Sequence, residues 1–204
     1  GLNNGTIDIV IGTHALLSEK VNFSQLGLVI IDEEQHFGVV HKERLKRLKS
    51  NVHVLTLTAT PIPRTLQLAL SGARDLSIIS TPPMDRHVIR TFVSEFDELT
   101  IKDALMREHF RGGQSFFIVP RVSDIDSIKF FLSENVPDLK VGVAHGQMSS
   151  NTLDQTMSDF YDHQYDLLLS TSIIESGLDI PRANTLIVYK AEMFGLAQLY
   201  QIRG

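Results

Sequence analysis

Two adjacent carboxylates follow an apolar stretch in the first quarter of the chain, and their types and spacing suit hydrolytic chemistry. The run from Leu26 to Ile31 predicts a strand buried on both faces, as in a parallel sheet covered by helices. Asp32 and Glu33 follow it directly, and Gln35 comes two residues later. At such a strand end an Asp can hold Mg²⁺ through its water shell, and a Glu can orient or deprotonate a water. Alone, the stretch fits a nucleotide-hydrolysing site and a solvated acidic turn equally well.

Composition limits the classes of protein to which the chain can belong. It has 204 residues, 43% of them hydrophobic and 21% charged, which is enough apolar material for one large or two small domains. No apolar run has membrane-spanning length and no signal-peptide pattern is present, so we expect a cytoplasmic protein without membrane contact. Cysteine is absent, which excludes disulfides and thiolate metal sites. The net charge of −5 leaves room for a local basic groove.

Strand patterns alternate with helix patterns along the whole sequence, which predicts an α/β fold with parallel sheets and right-handed crossovers. The predicted strands cover residues 7–12, 26–31, 52–57, 76–80, 88–93, 115–119, 140–144, 165–170 and 186–189. The predicted helices cover 37–49, 63–71, 97–110, 123–134, 150–161 and 196–202. The two prolines at Pro82 and Pro83 favour a semi-rigid linker, so we expect one domain over residues 1–83 and another over 84–204.

Polar residues lie at or just beyond the predicted strand ends. The set comprises Thr13, His14, Asp32, Glu33, Gln35, Thr58, Thr60, Arg121, His145, Gln147, Thr171, Gly177, Asp179, Gln201 and Arg203. Each has an ordinary structural explanation when taken alone, such as Thr13 acting as a helix N-cap. The paired aromatics Phe116-Phe117 and Phe130-Phe131 are predicted to be core residues.

The order and spacing of these polar clusters resemble the motif series of superfamily 2 helicases and translocases. The segment Thr58–Leu66 resembles the bacterial translocases that include RecG-type fork-remodelling helicases and transcription-repair coupling factors. Ser71–Ile79, Phe194–Tyr200 and the HKER segment from His41 to Arg44 are more similar to the coupling-factor branch. The resemblance implies two RecA-like domains, the first of them incomplete in this sequence, with ATP bound between them and nucleic acid across their top.

The resemblance also implies roles for individual residues. Asp32 would organise Mg²⁺, Glu33 would activate water, and Gln35 would hydrogen-bond toward Thr58 or Thr60 to link hydrolysis to the DNA side. Gly177, Asp179, Gln201 and Arg203 would face the ATP. The residues implied to lie along double-stranded DNA, without reading its sequence, are Thr13, His14, Arg121, His145, Gln147 and Thr171. RNA polymerase and an excision-repair damage-recognition protein would be partners through regions outside these residues.

Two parts of the family's machinery are missing from these 204 residues. They contain no G-x-x-x-x-G-K-[ST] phosphate-binding loop, and the family's arginine fingers follow the motif that begins at Gln201. We therefore expect a piece of a longer protein that does not hydrolyse ATP alone, and whose first sheet exposes an edge or an apolar face. A fork-remodelling helicase and a non-catalytic RecA-like binding module remain as alternatives, although the intact Asp32-Glu33 pair argues against the module.

Overall fold

The computed structural model describes residues 2–33, 37–48, 52–58, 75–79, 81, 89–172 and 180–203. The chain divides into two compact units, Gly1–Thr81 and Pro82–Gly204. The predicted helix over 63–71 and the predicted linker at Pro82 and Pro83 lie outside the described residues. Within the described part, no helix combines the length and the apolar character needed to cross a bilayer.

The first unit is built on two parallel strands, β1 (Leu28–Asp32) and β2 (His53–Leu57), with helix α1 (Val39–Leu48) between them in sequence. One face of the two strands is exposed: Leu28, Ile30, Leu55 and Leu57 are 42–59% accessible. The neighbouring residue Ile31, on the opposite face, is buried. The prediction that this strand is buried on both faces is therefore wrong, and the expected exposed apolar face is confirmed.

The second unit contains a four-stranded parallel sheet in the order β4-β5-β3-β6. Its elements are α2 (Glu98–Phe110), β3 (Gln114–Ile118), α3 (Ile125–Asn135), β4 (Val141–Ala144), α4 (Ser150–Tyr161), β5 (Leu167–Ser170), β6 (Ala183–Val188) and α5 (Leu196–Arg203). Helix α3 connects β3 to β4 and helix α4 connects β4 to β5, so these parallel strands are joined by helical crossovers, as the alternation of patterns predicts. The α/β class with parallel sheets is confirmed.

Helices cover both faces of this second sheet. Because side chains alternate along a strand, the consecutive residues Leu168 and Leu169 belong to different core clusters. Leu169 packs in a cluster with Leu105 of α2 and Leu132 of α3, and Leu168 packs in a cluster with Phe160 of α4. The central strands β3 and β5 are therefore shielded from solvent on both sides.

A buried carboxylate joins α2 to the edge strand β6. Glu108 is only 1% exposed, and its Oε2 accepts hydrogen bonds from the Thr185 hydroxyl, at 2.5 Å, and from the Arg111 guanidinium. The hydrogen bond between Arg111 and Glu108 raises the pKa of Arg111, which keeps the guanidinium charged. The other oxygen of Glu108 lies beside Gly113, where an added Cβ would come within 1.7 Å of it. Only glycine fits at this position without displacing the carboxylate.

Three predicted strands are wrong in the described part of the chain. Residues 7–12, 75–79 and 89–93 have no strand assignment there, and Ile11, Ile79 and Val93 are each at least 94% exposed. An apolar run makes a strand only when another strand pairs with its backbone, and these segments have no such partner among the described residues. The predicted core position of Phe130 is also wrong, since this side chain is 69% exposed while Phe131 is buried.

Candidate functional site

The two carboxylates of the first unit leave β1 at its carboxyl end. Asp32 is the last residue of the strand, lies opposite Leu57 of β2 and is exposed. Glu33 follows with a φ of 49°, a left-handed conformation that residues other than glycine rarely adopt. Its amide donates to the Leu57 carbonyl at 3.1 Å, so the strand pairing extends to this turn. Strained residues of this kind cluster at functional sites.

Thr58 lies at the same edge of the sheet as the acids. It directly follows Leu57, whose carbonyl accepts the Glu33 amide, and its side chain is exposed. The structure therefore brings Asp32, Glu33 and Thr58 together at the carboxyl ends of two neighbouring parallel strands, where open α/β sheets bind their ligands. Gln35 and Thr60, the other residues of the predicted coupling path, lie outside the described residues.

Thr13 and His14 form the start of a short 3-10 helix, His14–Leu17. The Thr13 hydroxyl accepts a hydrogen bond from the Ala15 amide at 3.4 Å, so the N-cap role is present in the structure. The exposed His14 ring lies 5.0 Å from the ring of His41, centroid to centroid. The ring of Phe37 lies 6.4 Å from the same His41 ring. No local sequence pattern indicates this ring cluster, because Phe37 and His41 lie 23 and 27 residues after His14.

Arg121, His145 and Thr171 follow three neighbouring strands of the second unit. β3, β4 and β5 are parallel and adjacent in the order β4-β5-β3, so the residues beyond their carboxyl ends share one edge of the sheet. The Thr171 amide donates to the Ala144 carbonyl at 3.3 Å, which places Thr171 one residue from His145 across the strand pair. Gln147 is exposed in the turn that the Met148 amide closes on the His145 carbonyl, at 3.1 Å. The predicted DNA contacts of this unit therefore lie on one edge.

Two buried polar atoms at the ends of β4 and β5 lack hydrogen-bond partners among the described residues. They are Nδ1 of His145 and the hydroxyl of Ser170, which is fully buried at the end of β5. Buried polar atoms in folded proteins nearly always have a partner, so each exception calls for an explanation. Sequence reasoning missed Ser170; the available signal was a hydroxyl directly before Thr171 at the end of an apolar run. These unpaired atoms are consistent with an edge that receives a polar ligand.

The remaining predicted site residues lie in the last part of the chain. Gln201 is half-buried and Arg203 is exposed, both in the final turn of α5. The Arg203 guanidinium lies 5.0 Å from the ring centroid of Tyr200, a cation–π contact along the helix. Gly177 and Asp179 lie outside the described residues.

Comparison with protein families identifies the class. Residues 98–204 match the helicase conserved C-terminal domain, and residues 2–69 match the DEAD/DEAH box helicases. The first match covers more than half of the chain. The chain therefore belongs to the family of helicases that carry the helicase conserved C-terminal domain, a family that uses ATP.

Individual proteins of similar sequence point to one branch of this helicase family. The chain is 58% identical over 203 residues to the transcription-repair-coupling factor of Rickettsia bellii, covering 100% of this chain and 18% of that protein. It is 55% identical over 204 residues to the transcription-repair-coupling factor of Bacillus subtilis, covering 100% of this chain and 17% of that protein. The chain thus spans about a fifth of the length of these relatives. The resemblance to this translocase branch, predicted from the motifs, is confirmed.

Solved structures agree with the fold. The structure of RecG bound to a three-way DNA junction aligns with this chain at a TM-score of 0.75 and 40% identity. The alignment covers 100% of this chain and 27% of the RecG chain. The L327V variant of S. cerevisiae Dbp5 bound to RNA and ADP BeF3 aligns over 93% of this chain and 52% of the Dbp5 chain, at a TM-score of 0.66. At 16% identity the second match shows the fold alone. Both comparisons support the RecA-like helicase architecture.

Proposed function

We propose that this chain is part of the motor of an ATP-dependent double-stranded DNA translocase that displaces stalled RNA polymerase and couples transcription to nucleotide excision repair. The observation that carries the proposal is the identity of 53–58% to transcription-repair-coupling factors over nearly the whole chain. Contacts with RNA polymerase and with an excision-repair damage-recognition protein are assigned to regions outside these residues. The domains are proposed as residues 1–83 and 84–204, and the location as the cytoplasm.

The nucleotide chemistry is assigned to the edge that holds Asp32, Glu33 and Thr58. Among the described residues, no group of three or more His, Asp or Glu side chains could enclose a metal ion. Mg²⁺ binds through one or two carboxylates and keeps waters and substrate phosphates as its other ligands, so Asp32 and Glu33 offer donors of the kind it prefers. Asp32 would hold the ion, which neutralises charge on the phosphates when bound. Glu33 would accept a proton from the attacking water.

The link between hydrolysis and DNA is assigned to Gln35, Thr58 and Thr60. Thr58 directly follows Leu57, whose carbonyl accepts the hydrogen bond from the Glu33 amide. A movement of the Glu33 backbone would therefore also move Thr58 at the end of β2. Gly177, Asp179, Gln201 and Arg203 are assigned to the nucleotide.

DNA contact is assigned to the carboxyl edge of the second sheet and to the 3-10 helix of the first unit. Arg121, His145, Gln147 and Thr171 offer a cation, hydroxyl and amide groups suited to phosphates, as do Thr13 and His14. Such contacts position a duplex and do not read its bases. Affinity for duplexes of unrelated sequence should therefore be equal, and fall with rising salt.

The 204 residues are proposed to be inactive in ATP hydrolysis by themselves. They contain no G-x-x-x-x-G-K-[ST] loop, and an arginine finger is worth roughly 10³-fold or more in rate. The test is ATP turnover by the purified chain with and without duplex DNA. Turnover stimulated by duplex would refute this part of the proposal.

A RecG-type fork-remodelling motor is the second candidate, favoured by the alignment of the whole chain with RecG at 40% identity. A segment swap separates the two. This chain would replace the matching segment of the B. subtilis relative, and the chimaera would be assayed for displacement of a stalled RNA polymerase. Displacement at the unmodified relative's rate supports the coupling function. Loss of this displacement by a chimaera that regresses a model replication fork supports the alternative.

A further inference from the structure

Lys190 has an unusual backbone conformation beside the proposed DNA-binding edge. It follows β6 by two residues, and the Tyr189 amide still continues the strand pairing by donating to the Ile118 carbonyl at 2.9 Å. Lys190 itself has φ 51° and ψ 52°, in the left-handed region. A lysine has no local reason to adopt this conformation, and such residues persist where the surrounding structure holds them.

An ion pair holds Lys190 in place. Its ammonium donates to Oδ1 of Asp124 at 2.8 Å and lies 4.8 Å from the ring centroid of Tyr189. The hydrogen bond to Asp124 raises the pKa of Lys190, so the amine is fully charged at neutral pH. The Asp124 side chain is 14% exposed, and its Oδ2 is buried without a hydrogen-bond partner. Across the described residues, the side chain of Asp124 therefore has Lys190 as its only hydrogen-bond partner.

Asp124 is also part of the turn that carries Arg121. Its amide donates to the Arg121 carbonyl at 3.0 Å, which closes the 3-10 turn Val122–Asp124. Its carbonyl accepts from the Ser127 hydroxyl at 2.9 Å, and the next residue, Ile125, is buried at the start of α3. The exposed Arg121 side chain has no capping contact of its own in this turn. The backbone around Arg121 is thus fixed from one end by Asp124.

We propose that Asp124 and Lys190 are positioning residues, whose ion pair ties the end of β6 to the turn after β3 and so presents the Arg121 guanidinium to a DNA phosphate. This inference rests on the proposed function, in which Arg121 contacts duplex DNA. Neither Asp124 nor Lys190 needs to touch the DNA for the pair to act.

Because Asp124 is negatively charged, the direction in which its replacement changes DNA affinity tests the proposal. Removing a carboxylate near a phosphate-binding surface should strengthen DNA binding by simple electrostatics. If Asp124 positions Arg121, its removal should instead weaken binding. The Lys190 side chain is 40% exposed, and ion pairs open to solvent at one end have small effects, so we expect Asp124→Asn to raise the dissociation constant about threefold.

The experiment measures binding of the 204-residue chain to a fluorescein-labelled duplex by fluorescence anisotropy at several salt concentrations. Asp126→Asn is the matched control, because it removes the same charge from an exposed position two residues away, and it should leave binding unchanged or tighter. In an Arg121→Ala background, Asp124→Asn should cause no further loss. Hydrogen exchange of the residue-124 amide should accelerate in Asp124→Asn and in Lys190→Gln, independently of DNA.

Each failure has its own signature. If Arg121→Ala weakens binding but Asp124→Asn behaves like Asp126→Asn, the positioning role is overturned and the proposed function stands. If Asp124→Asn weakens binding equally with and without Arg121, the pair does not act through Arg121 and the inference also fails. If Arg121→Ala leaves duplex affinity unchanged, the DNA contact assigned to Arg121 in the proposed function is refuted.

Discussion

The substitution Gly113→Ala should strongly destabilise the second unit, because the new methyl group would occupy the space of a buried carboxylate. The added Cβ would lie 1.7 Å from Oε1 and 2.7 Å from Cδ of Glu108, and 3.2 Å from the Arg182 carbonyl oxygen. Ordinary contact begins near 3.4 Å, so the Glu108 carboxylate must move by about 1.7 Å. It cannot do so and keep its 2.5 Å hydrogen bond from Thr185.

Two costs therefore add. Overfilling a packed site costs about 1–3 kcal/mol, and a buried charged group that loses a hydrogen bond costs about 1.5–3 kcal/mol more. The free energy of unfolding should fall by roughly 2.5–6 kcal/mol. For a unit of this size the melting temperature should fall by about 10 °C or more, measured by circular dichroism or calorimetry.

The neighbouring glycine provides the control. Gly112 has a φ of 75°, and an added Cβ there meets nothing within 4 Å. Asn tolerates the left-handed region, so Gly112→Asn should cost less than about 1 kcal/mol.

A double-mutant cycle identifies the cause. With Glu108→Ala in place the clash with the carboxylate is gone and only the 3.2 Å approach to the Arg182 carbonyl oxygen remains, so Gly113→Ala should then cost less than about 1 kcal/mol. If the costs of Glu108→Ala and Gly113→Ala simply add, the clash is not the reason for glycine at this position.

Two further predictions concern pH and local stability. Asp97 caps α2, and hydrogen bonds from the Thr100 hydroxyl and amide lower the pKa of its carboxyl from 3.8. Its contribution to stability is therefore present above about pH 4 and is lost as the pH falls through the lowered pKa. Asp97→Asn should flatten the fall of melting temperature with pH in this acid window; an unchanged slope would contradict the capping role. Hydrogen exchange should be slower in β3 and β5, which are covered on both faces, than in β1 and β2, whose face formed by Leu28, Ile30, Leu55 and Leu57 is exposed. Equal protection of the two pairs of strands would show that the exposed face does not weaken the first sheet.

Features with local signals were predictable from the sequence. The helix expected over 97–110 is observed as Glu98–Phe110 with Asp97 as its cap, and the strand expected over 115–119 is observed as Gln114–Ile118. A capping side chain or a bounded apolar run is contained in a short window, which is why these elements were found. A local pattern did not indicate which of Phe130 and Phe131 is buried. Neighbouring helical residues point about 100° apart, so both cannot face the same core.

Features that depend on distant residues were not predictable. Glu108 and Thr185 are 77 positions apart, and Asp124 and Lys190 are 66 apart, so no local pattern indicates either pair. The positive φ of Glu33 is also invisible in the sequence. At the site, the order of polar residues indicated the kind of chemistry. Which residues meet, such as Thr58 beside Glu33 or Thr171 beside His145, depends on the strand order.

The most direct test of the central claim is ATP turnover by the chimaera in which this chain replaces the matching segment of the B. subtilis relative. The account predicts hydrolysis that duplex DNA stimulates. It also predicts that Glu33→Gln lowers turnover by about a hundredfold or more, while the chimaera keeps its melting temperature and its affinity for duplex. Turnover by the Glu33→Gln chimaera within a few fold of the parent chimaera would contradict the assignment of water activation to Glu33, and with it the motor reading of this chain.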